Sequence, residues 1–163
     1  MSIRPILRYT DPRLREPAIQ VTLFDQLLAD LARDLEDTMR DAPALGITGP
    51  HIGIGLAVAA IALDEQPAQF FVNPEVIEVS AELARNLEGS VSMAGVTEEV
   101  ERPASVTVSF QDLSGTRQTI TAEGLMAVCL QHEIDQINGI FWLQRLSRLK
   151  RERVTRRFEK FYA

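Results

Sequence analysis

The sequence predicts an α+β fold: an amphipathic helix near the N-terminus, then short strands, mixed or antiparallel, and then two helices, the last of which is basic. Three observations predict it. Helical periodicity precedes residue 41, apolar and alternating runs occupy residues 56–121, and helical periodicity returns after residue 123. This order of elements is typical of α+β domains. Since 163 residues can bury one core and no internal repeat is present, we expect a single domain spanning residues 1–163.

The composition, 45% hydrophobic and 25% charged, is ordinary for a globular protein in water. No apolar run approaches the roughly 20 residues of a membrane helix, and the first residues lack the apolar segment of a signal peptide. We therefore expect a cytoplasmic protein without membrane contact. Cys129 is the one cysteine of the sequence, which excludes an intramolecular disulfide and a multi-cysteine metal cluster.

The first predicted helix runs from Thr22 to Arg40 and follows an extended arm that contains two X-Pro turn signals. Its apolar residues recur at intervals of three and four, and Thr22 is its predicted N-cap. The apolar face consists of Leu23, Leu27, Leu28, Leu31, Leu35 and Met39. This face is expected to pack onto the core.

Strands are predicted after an irregular passage. The stretch from Ala44 to Gly55 is rich in glycine and proline and too irregular for a helix. Leu56–Leu63 and Phe70–Val72 have the apolar character of buried strands. Asn73-Pro74 predicts a turn, and Val76–Val79 a further strand after it.

The rest of the chain predicts a β-hairpin and two helices. Ser105–Phe110 alternates between apolar and polar residues, and Thr116–Thr121 is the returning strand of the hairpin. One helix spans Glu123 to Asn138, with Gly139 in the C′ position. The last helix spans Ser147 to Tyr162.

Charge is unevenly distributed along the sequence. The net charge is −6, yet residues 145–163 contain eight basic and two acidic residues and so carry +6. Such a segment either contacts an anionic partner such as nucleic acid or forms the solvated face of a terminal helix. From charge alone the solvated face is slightly favoured.

Residues 131–136, Gln-His-Glu-Ile-Asp-Gln, resemble a zinc-hydrolase helix that lacks one ligand. In the complete pattern, two histidines four residues apart hold the metal, and the glutamate after the first histidine is the general base. His132 and Glu133 are present, but Gln136 stands where the second histidine belongs. An amide carbonyl is a poor ligand for zinc or iron.

Three short segments share an informative order and spacing: Gly46–Gly53 (GITGPHIG), Glu88–Ser92 (EGSVS) and Gln131–Gln136 (QHEIDQ). Together they closely resemble the signature motifs of the peptide deformylase family, which removes the formyl group from the N-terminal methionine of nascent proteins. The similarity covers essentially the whole chain, including Asp11–Arg15 and Val72–Glu75. It implies a fold in which strands pack around a central helix that carries the third motif.

The resemblance also implies a metal site, from which this chain departs. In the family, Fe(II) or Zn(II) is held by one cysteine and two histidines, at the positions of Ser90, His132 and Gln136. A serine hydroxyl stays protonated near neutral pH and lacks the charge and softness of a thiolate. Only His132 is a competent ligand, so we expect no tightly bound cofactor, and any metal to bind weakly or in a rearranged site.

Two further family positions have alternative interpretations. His51 replaces a glutamine that hydrogen-bonds the reacting carbonyl, so its imidazole is a donor to that oxygen, a substitute metal ligand beside His132, or only a loop residue between proline and glycine. Glu133 matches the general base, or it belongs to a buried polar network without a catalytic role, since no metal lowers the pKa of its water. Glu88 and Arg102 match a structural salt bridge.

Peptide binding depends less on side chains than metal binding and catalysis do. Leu45 and Gly46 match positions whose backbone pairs with the peptide substrate, and the amide of Val91 matches an oxyanion donor. The expected partners are N-formyl-methionyl peptides and, through phosphate contacts of the basic C-terminal helix, ribosomal RNA.

Three functional hypotheses follow. The favoured one is a degenerate deformylase-like protein with little or no activity. The second is an amide or formamide hydrolase whose rearranged metal site uses His51 and His132. The third is a non-catalytic module that binds peptides or the ribosome.

Overall fold

The computed structural model describes residues 2–162 and confirms the predicted α+β class. The helices are α1 (Gln26–Asp41), α2 (Gly124–Ile137) and α3 (Arg148–Tyr162). The strands are β1 (Gly46–Thr48), β2 (Val58–Ile61), β3 (Gln69–Val79), β4 (Leu83–Ser90), β5 (Met93–Pro103), β6 (Ser105–Gln111) and β7 (Arg117–Glu123). No helix in this part of the chain is long and apolar enough to cross a membrane.

Two antiparallel sheets surround α2. One has the strand order β1-β2-β3-β6-β7, and the other is the β4–β5 hairpin. The named strands all pair antiparallel, and an isolated parallel bridge joins Ile19 to Leu56. α2 packs on the five-stranded sheet and α3 packs on β5, so the helix with the third motif lies at the centre of the molecule.

The start of α1 corrects one prediction. Asp25, not Thr22, is the N-cap, and its carboxylate accepts a hydrogen bond from the backbone N–H of Leu28 at 3.2 Å. Aspartate caps at least as well as threonine, and it directly precedes the first buried turn. Leu23 and Leu27 are 72% and 76% exposed, whereas the other four residues of the predicted apolar face are buried.

The turn predicted at Asn73-Pro74 is also wrong, because β3 continues through it. Asn73 takes a φ of 50°, and its side-chain amide both accepts from and donates to the backbone of Val21. The register of β3 against β6 shifts at this point, so the residues form a bulge. Pro74 lies beyond the end of β2, where no partner strand needs the N–H that proline lacks.

The C-terminal half agrees with its predictions, except that the β4–β5 hairpin has no predicted counterpart. The inward residues of β6, Val106, Val108 and Phe110, are all buried. α2 ends before Gly139, which has a φ of 78°. The β4–β5 hairpin places Glu88 and Ser90 of the second motif beside α2, and its inner face packs with α3 in a second apolar cluster.

Candidate functional site

A cleft of about 550 Å³ lies between α2, the β4–β5 hairpin and the segment that leads into β1. Six of the eight predicted site residues line it: Leu45, Gly46, Ser90, Val91, His132 and Glu133. His51 and Gln136 do not line it and are 1% and 2% exposed. Segments from all three motifs therefore meet around one cleft.

His132 is oriented by Glu88. Its Nδ1 lies 2.8 Å from Glu88 Oε1, and Arg102 donates to the same carboxylate at 2.6 and 3.0 Å. Burial opposes ionisation of Glu88, but the hydrogen bonds from His132 and Arg102 outweigh it and lower the pKa of the carboxyl. The predicted Glu88–Arg102 salt bridge is confirmed, and Nδ1–H of His132 donates to the ionised Glu88.

The same network continues away from the cleft. Arg102 donates to Asp135 at 2.9 Å, and Arg145 donates to both oxygens of Asp135 at 2.8 and 2.9 Å. Asp135 therefore joins two arginines and does not orient an imidazole. The result is a chain of charges from Arg145 at the surface to His132 in the cleft.

Glu133 lies against β1. Its carboxylate is 3.1 Å from the point where a Cβ on Gly46 would lie, so the glycine makes room for it. Burial raises the pKa of Glu133 to about 7, with Glu88 adding to the effect and His132 opposing it. One oxygen, Oε1, is 3.8 Å from Nε2 of His132, and Oε2 has no hydrogen-bond partner among residues 2–162. The carboxyl therefore exchanges its proton near neutral pH.

The hydrogen bonds of His51 determine its tautomer. Its Nδ1 is 3.0 Å from the backbone N–H of Thr48, and because an N–H can only donate, Nδ1 must be the acceptor. Burial, with a smaller effect of nearby His132, lowers the pKa of His51 to about 3, so the neutral ring carries its proton on Nε2. That N–H is buried and has no acceptor within the described chain. His51 is therefore a fixed hydrogen-bond donor.

Gln136 is engaged by the N-terminal arm. Its Nε2 donates to the carbonyl of Leu14 at 2.6 Å, and since a carbonyl only accepts, the atom facing it must be the amide nitrogen. The side chain is buried. It acts as a structural link between α2 and a residue 122 positions earlier in the chain.

Ser90 closes the turn of the β4–β5 hairpin. Its hydroxyl oxygen accepts a hydrogen bond from the backbone N–H of Ser92 at 3.1 Å. Val91, at the tip of this turn, lines the cleft beside it. The hydroxyl thus has a local structural partner.

Comparison with known proteins identifies the family, since the model of the polypeptide deformylase family matches residues 3–152. The chain belongs to this family. A peptide deformylase-like protein of Rhizobium meliloti (strain 1021) is 57% identical over 99% of this chain and 94% of its own length. The protein of the same organism described as peptide deformylase is 39% identical over 98% of this chain and 94% of its own length.

Solved deformylase structures share the fold of this family member. The crystal structure of a peptide deformylase from Legionella pneumophila aligns with a TM-score of 0.93 and 40% identity, covering 99% of this chain and 96% of that one. The predicted resemblance and the predicted fold are both confirmed.

The residues present do not fit the Fe(II) or Zn(II) site of the deformylase family. The hydroxyl of Ser90 is neutral, the amide nitrogen of Gln136 is bound elsewhere, and the lone pair of His51 faces Thr48. Within residues 2–162, no group of three or more His, Cys, Asp or Glu side chains is arranged to hold a metal ion. His132 is left without the partners that a tetrahedral site requires.

Two exposed leucines of the cleft were missed by the sequence analysis. Leu87 and Leu125 line the cleft and are 73% and 50% exposed. Leu125 precedes His132 by seven residues, which is two helical turns, so helical spacing could have placed it on the same face. Leu87 carries no such signal, because the strand that holds it was not predicted.

Proposed function

We propose that this chain is a deformylase-family protein that binds peptide N-termini in the cleft and does not hydrolyse N-formyl groups, or does so very weakly. The observation that carries the proposal is Gln136. At the position where the family supplies an imidazole ligand, this chain has a buried amide that donates to the carbonyl of Leu14. Gln136 thus has a structural role in place of metal ligation, and the substitution of glutamine for histidine is compatible with a stable fold.

The backbone beside the cleft supports peptide binding. β1 is an edge strand of the five-stranded sheet. The carbonyl of Leu45, just before β1, accepts a hydrogen bond from the backbone N–H of Ala62, just after β2, so it points towards β2. Successive residues of a strand direct their backbone groups to opposite sides, so the N–H and C=O of Gly46 point to the open edge. An extended peptide that adds to this edge would pair with Gly46.

His51 suits ligand binding better than metal ligation. Its Nε2 carries a proton, and a metal would need a lone pair on that atom, which would move the proton onto Nδ1 and against the N–H of Thr48. This argues against a rearranged metal site formed with His132. Nε2–H would donate to the carbonyl oxygen of a formyl group that reaches past the lining of the cleft to the buried ring.

The relatives give further support. Rhizobium meliloti contains both a peptide deformylase-like protein and a peptide deformylase. This chain is 57% identical to the former and 39% to the latter. A divergent copy that coexists with a peptide deformylase is free to lose the reaction and keep the cleft.

Reconstruction of the metal site tests the proposal. The triple variant Ser90→Cys, Gln136→His and His51→Gln should bind Fe(II) or Zn(II) stoichiometrically and gain formyl-peptide hydrolysis. The matched control adds Glu133→Ala to the triple variant and should bind metal without hydrolysis. Metal analysis and formate release are the measurements. Substantial hydrolysis by the unaltered protein with added metal would contradict the proposal.

Binding without turnover is the complementary test. Isothermal titration with N-formyl-methionyl peptides should give heat of binding, and the recovered peptide should still carry its formyl group. A His51→Phe variant removes the buried donor and should bind the formylated peptide more weakly than the unaltered protein does. Loss of the formyl group during the titration would favour the hydrolase hypothesis.

Ribosome contact through α3 remains a prediction. Several of its cations already have partners: Arg153 pairs with Glu98 at 2.9 Å, and Arg151 donates to the carbonyls of Leu143 and Leu146. Fewer cations are therefore available for phosphates than the sequence suggests. Ribosome pelleting that falls steeply between low and moderate salt would support the contact, whereas salt-independent pelleting or none would contradict it.

A further inference from the structure

The end of α3 forms part of the border of the cleft. Arg157 donates to the backbone carbonyl of Thr97 at 2.9 Å. The ring of Phe161 lies beside Gly95, 3.7 Å from the point where a Cβ there would lie. Thr97 and Gly95 both line the cleft, so a ligand that leaves the cleft over these residues meets α3.

Positive charge is concentrated at this border. Arg153, Arg156, Arg157 and Lys160 surround a shallow depression of about 470 Å³ together with Glu98. Glu98 lies 2.9 Å from Arg153 and 3.9 Å from Arg157. One carboxylate does not balance four cations, and the side chain of Arg157 remains 51% exposed. The border therefore keeps a surplus of positive charge.

The mouth of the cleft itself is apolar. Leu45, Leu87 and Leu125 line it and are 41%, 73% and 50% exposed. Of the ionisable groups that form the network at the floor of the cleft, Glu88 and Glu133 are buried and the side chain of His132 is 12% exposed. Recognition of charge on the outer part of a bound peptide must therefore come from α3.

We propose that the cleft prefers peptides with acidic residues a few positions after the N-terminus, and that Arg157 determines this specificity. The inference rests on the proposed function, because it requires a peptide N-terminus in the cleft. Carboxylates passing over Gly95 and Thr97 would pair with the half-exposed guanidinium of Arg157 and with Lys160 and Arg156 behind it. Each such surface ion pair is weak and sensitive to salt.

The test compares two N-formyl-methionyl pentapeptides that differ only at residues three to five, which are aspartate in one and lysine in the other. Titration at low ionic strength should show the acidic peptide binding up to about thirtyfold more tightly, since three ion pairs would each contribute about threefold. The preference should shrink at high salt. Arg157→Gln should reduce the preference about threefold.

Arg148→Gln is the matched control. It removes the same charge nine residues earlier on α3, about 13 Å along the helix, from a side chain that is 91% exposed. The preference should be unchanged in this variant. An equal loss in both variants would show that net charge alone matters and would overturn the role of Arg157.

The remaining outcomes separate the inference from the proposed function. Equal affinity for the two peptides overturns the inference and leaves peptide binding intact. No binding of either peptide overturns both. An RNA oligonucleotide that binds and is weakened by Arg157→Gln, without any preference between the peptides, would assign this surface to nucleic acid and overturn the inference.

Discussion

Glu133 shows how a single buried side chain couples the site to stability. Its pKa is raised from 4.5 to about 7, first of all by burial. A carboxyl with a raised pKa binds its proton more tightly in the folded than in the unfolded protein. Its favourable contribution is therefore complete below about pH 4.5 and is lost as the pH rises to about 7. Above that pH the folded protein holds a buried charge that destabilises it.

Replacing this carboxyl should stabilise the protein at alkaline pH. Glu133→Gln is expected to raise the free energy of unfolding by up to about 3 kcal/mol at pH 8, and by progressively less towards pH 5. Urea unfolding across that pH range is the measurement. The control is Glu78→Gln, an exposed position, which should show no comparable gain. A difference that does not vary with pH would contradict the assignment of this pKa.

At the residue scale, the sequence located the site but not its hydrogen bonds. The resemblance to the deformylase motifs placed His132, Glu133 and Ser90 together, whereas local helix geometry relates only His132 and Glu133. The partner of Gln136 is Leu14, 122 residues away, and no periodicity connects two such positions. The tautomer of His51 likewise depends on a hydrogen bond from the backbone N–H of Thr48. The sequence alone does not show that this N–H lies within reach of the ring.

At the element scale, periodicity predicted the helices and strands that bury one regular apolar face, and it missed strands without such a face. α2 and the β6–β7 hairpin follow regular apolar patterns and were predicted. The β4–β5 hairpin was missed since its strands carry Leu83 and Leu87 on the exposed side, at 53% and 73%, which obscures the alternation. β3 continues past Asn73 because a side chain satisfies the backbone there, an arrangement without a sequence signal.

Docking of α3 depends on few apolar side chains, Val154 and Phe158. Phe158→Ala should cost about 3 kcal/mol or more, because it leaves a cavity against Tyr9. Hydrogen exchange should accelerate in α3 more than in α2. Phe161→Ala is the matched control, since that ring is 67% exposed, and it should be nearly neutral. Equal acceleration in both helices would mean that α3 does not open separately.

At the scale of the whole molecule, the buried charge network joins elements that are distant in sequence. Arg102 on β5 contacts Glu88 on β4 and Asp135 on α2, and Asp135 holds Arg145 after α2. The network fixes the second motif against the third. Glu88, Arg102 and Asp135 are buried, so removing one of them leaves charge in the interior with fewer partners.

Arg102 should therefore be critical for stability, and the same hairpin provides its control. Arg102→Ala is expected to lower the free energy of unfolding by about 3–5 kcal/mol, because the buried Glu88 would keep only His132 as a partner and the buried Asp135 only Arg145. Arg85→Ala removes a second Arg–Glu pair of the hairpin, with Glu101, whose side chains are 68% and 48% exposed. That change should cost less than about 1 kcal/mol. Urea unfolding of both variants is the measurement, and similar losses in the two would contradict the central role given to the buried network.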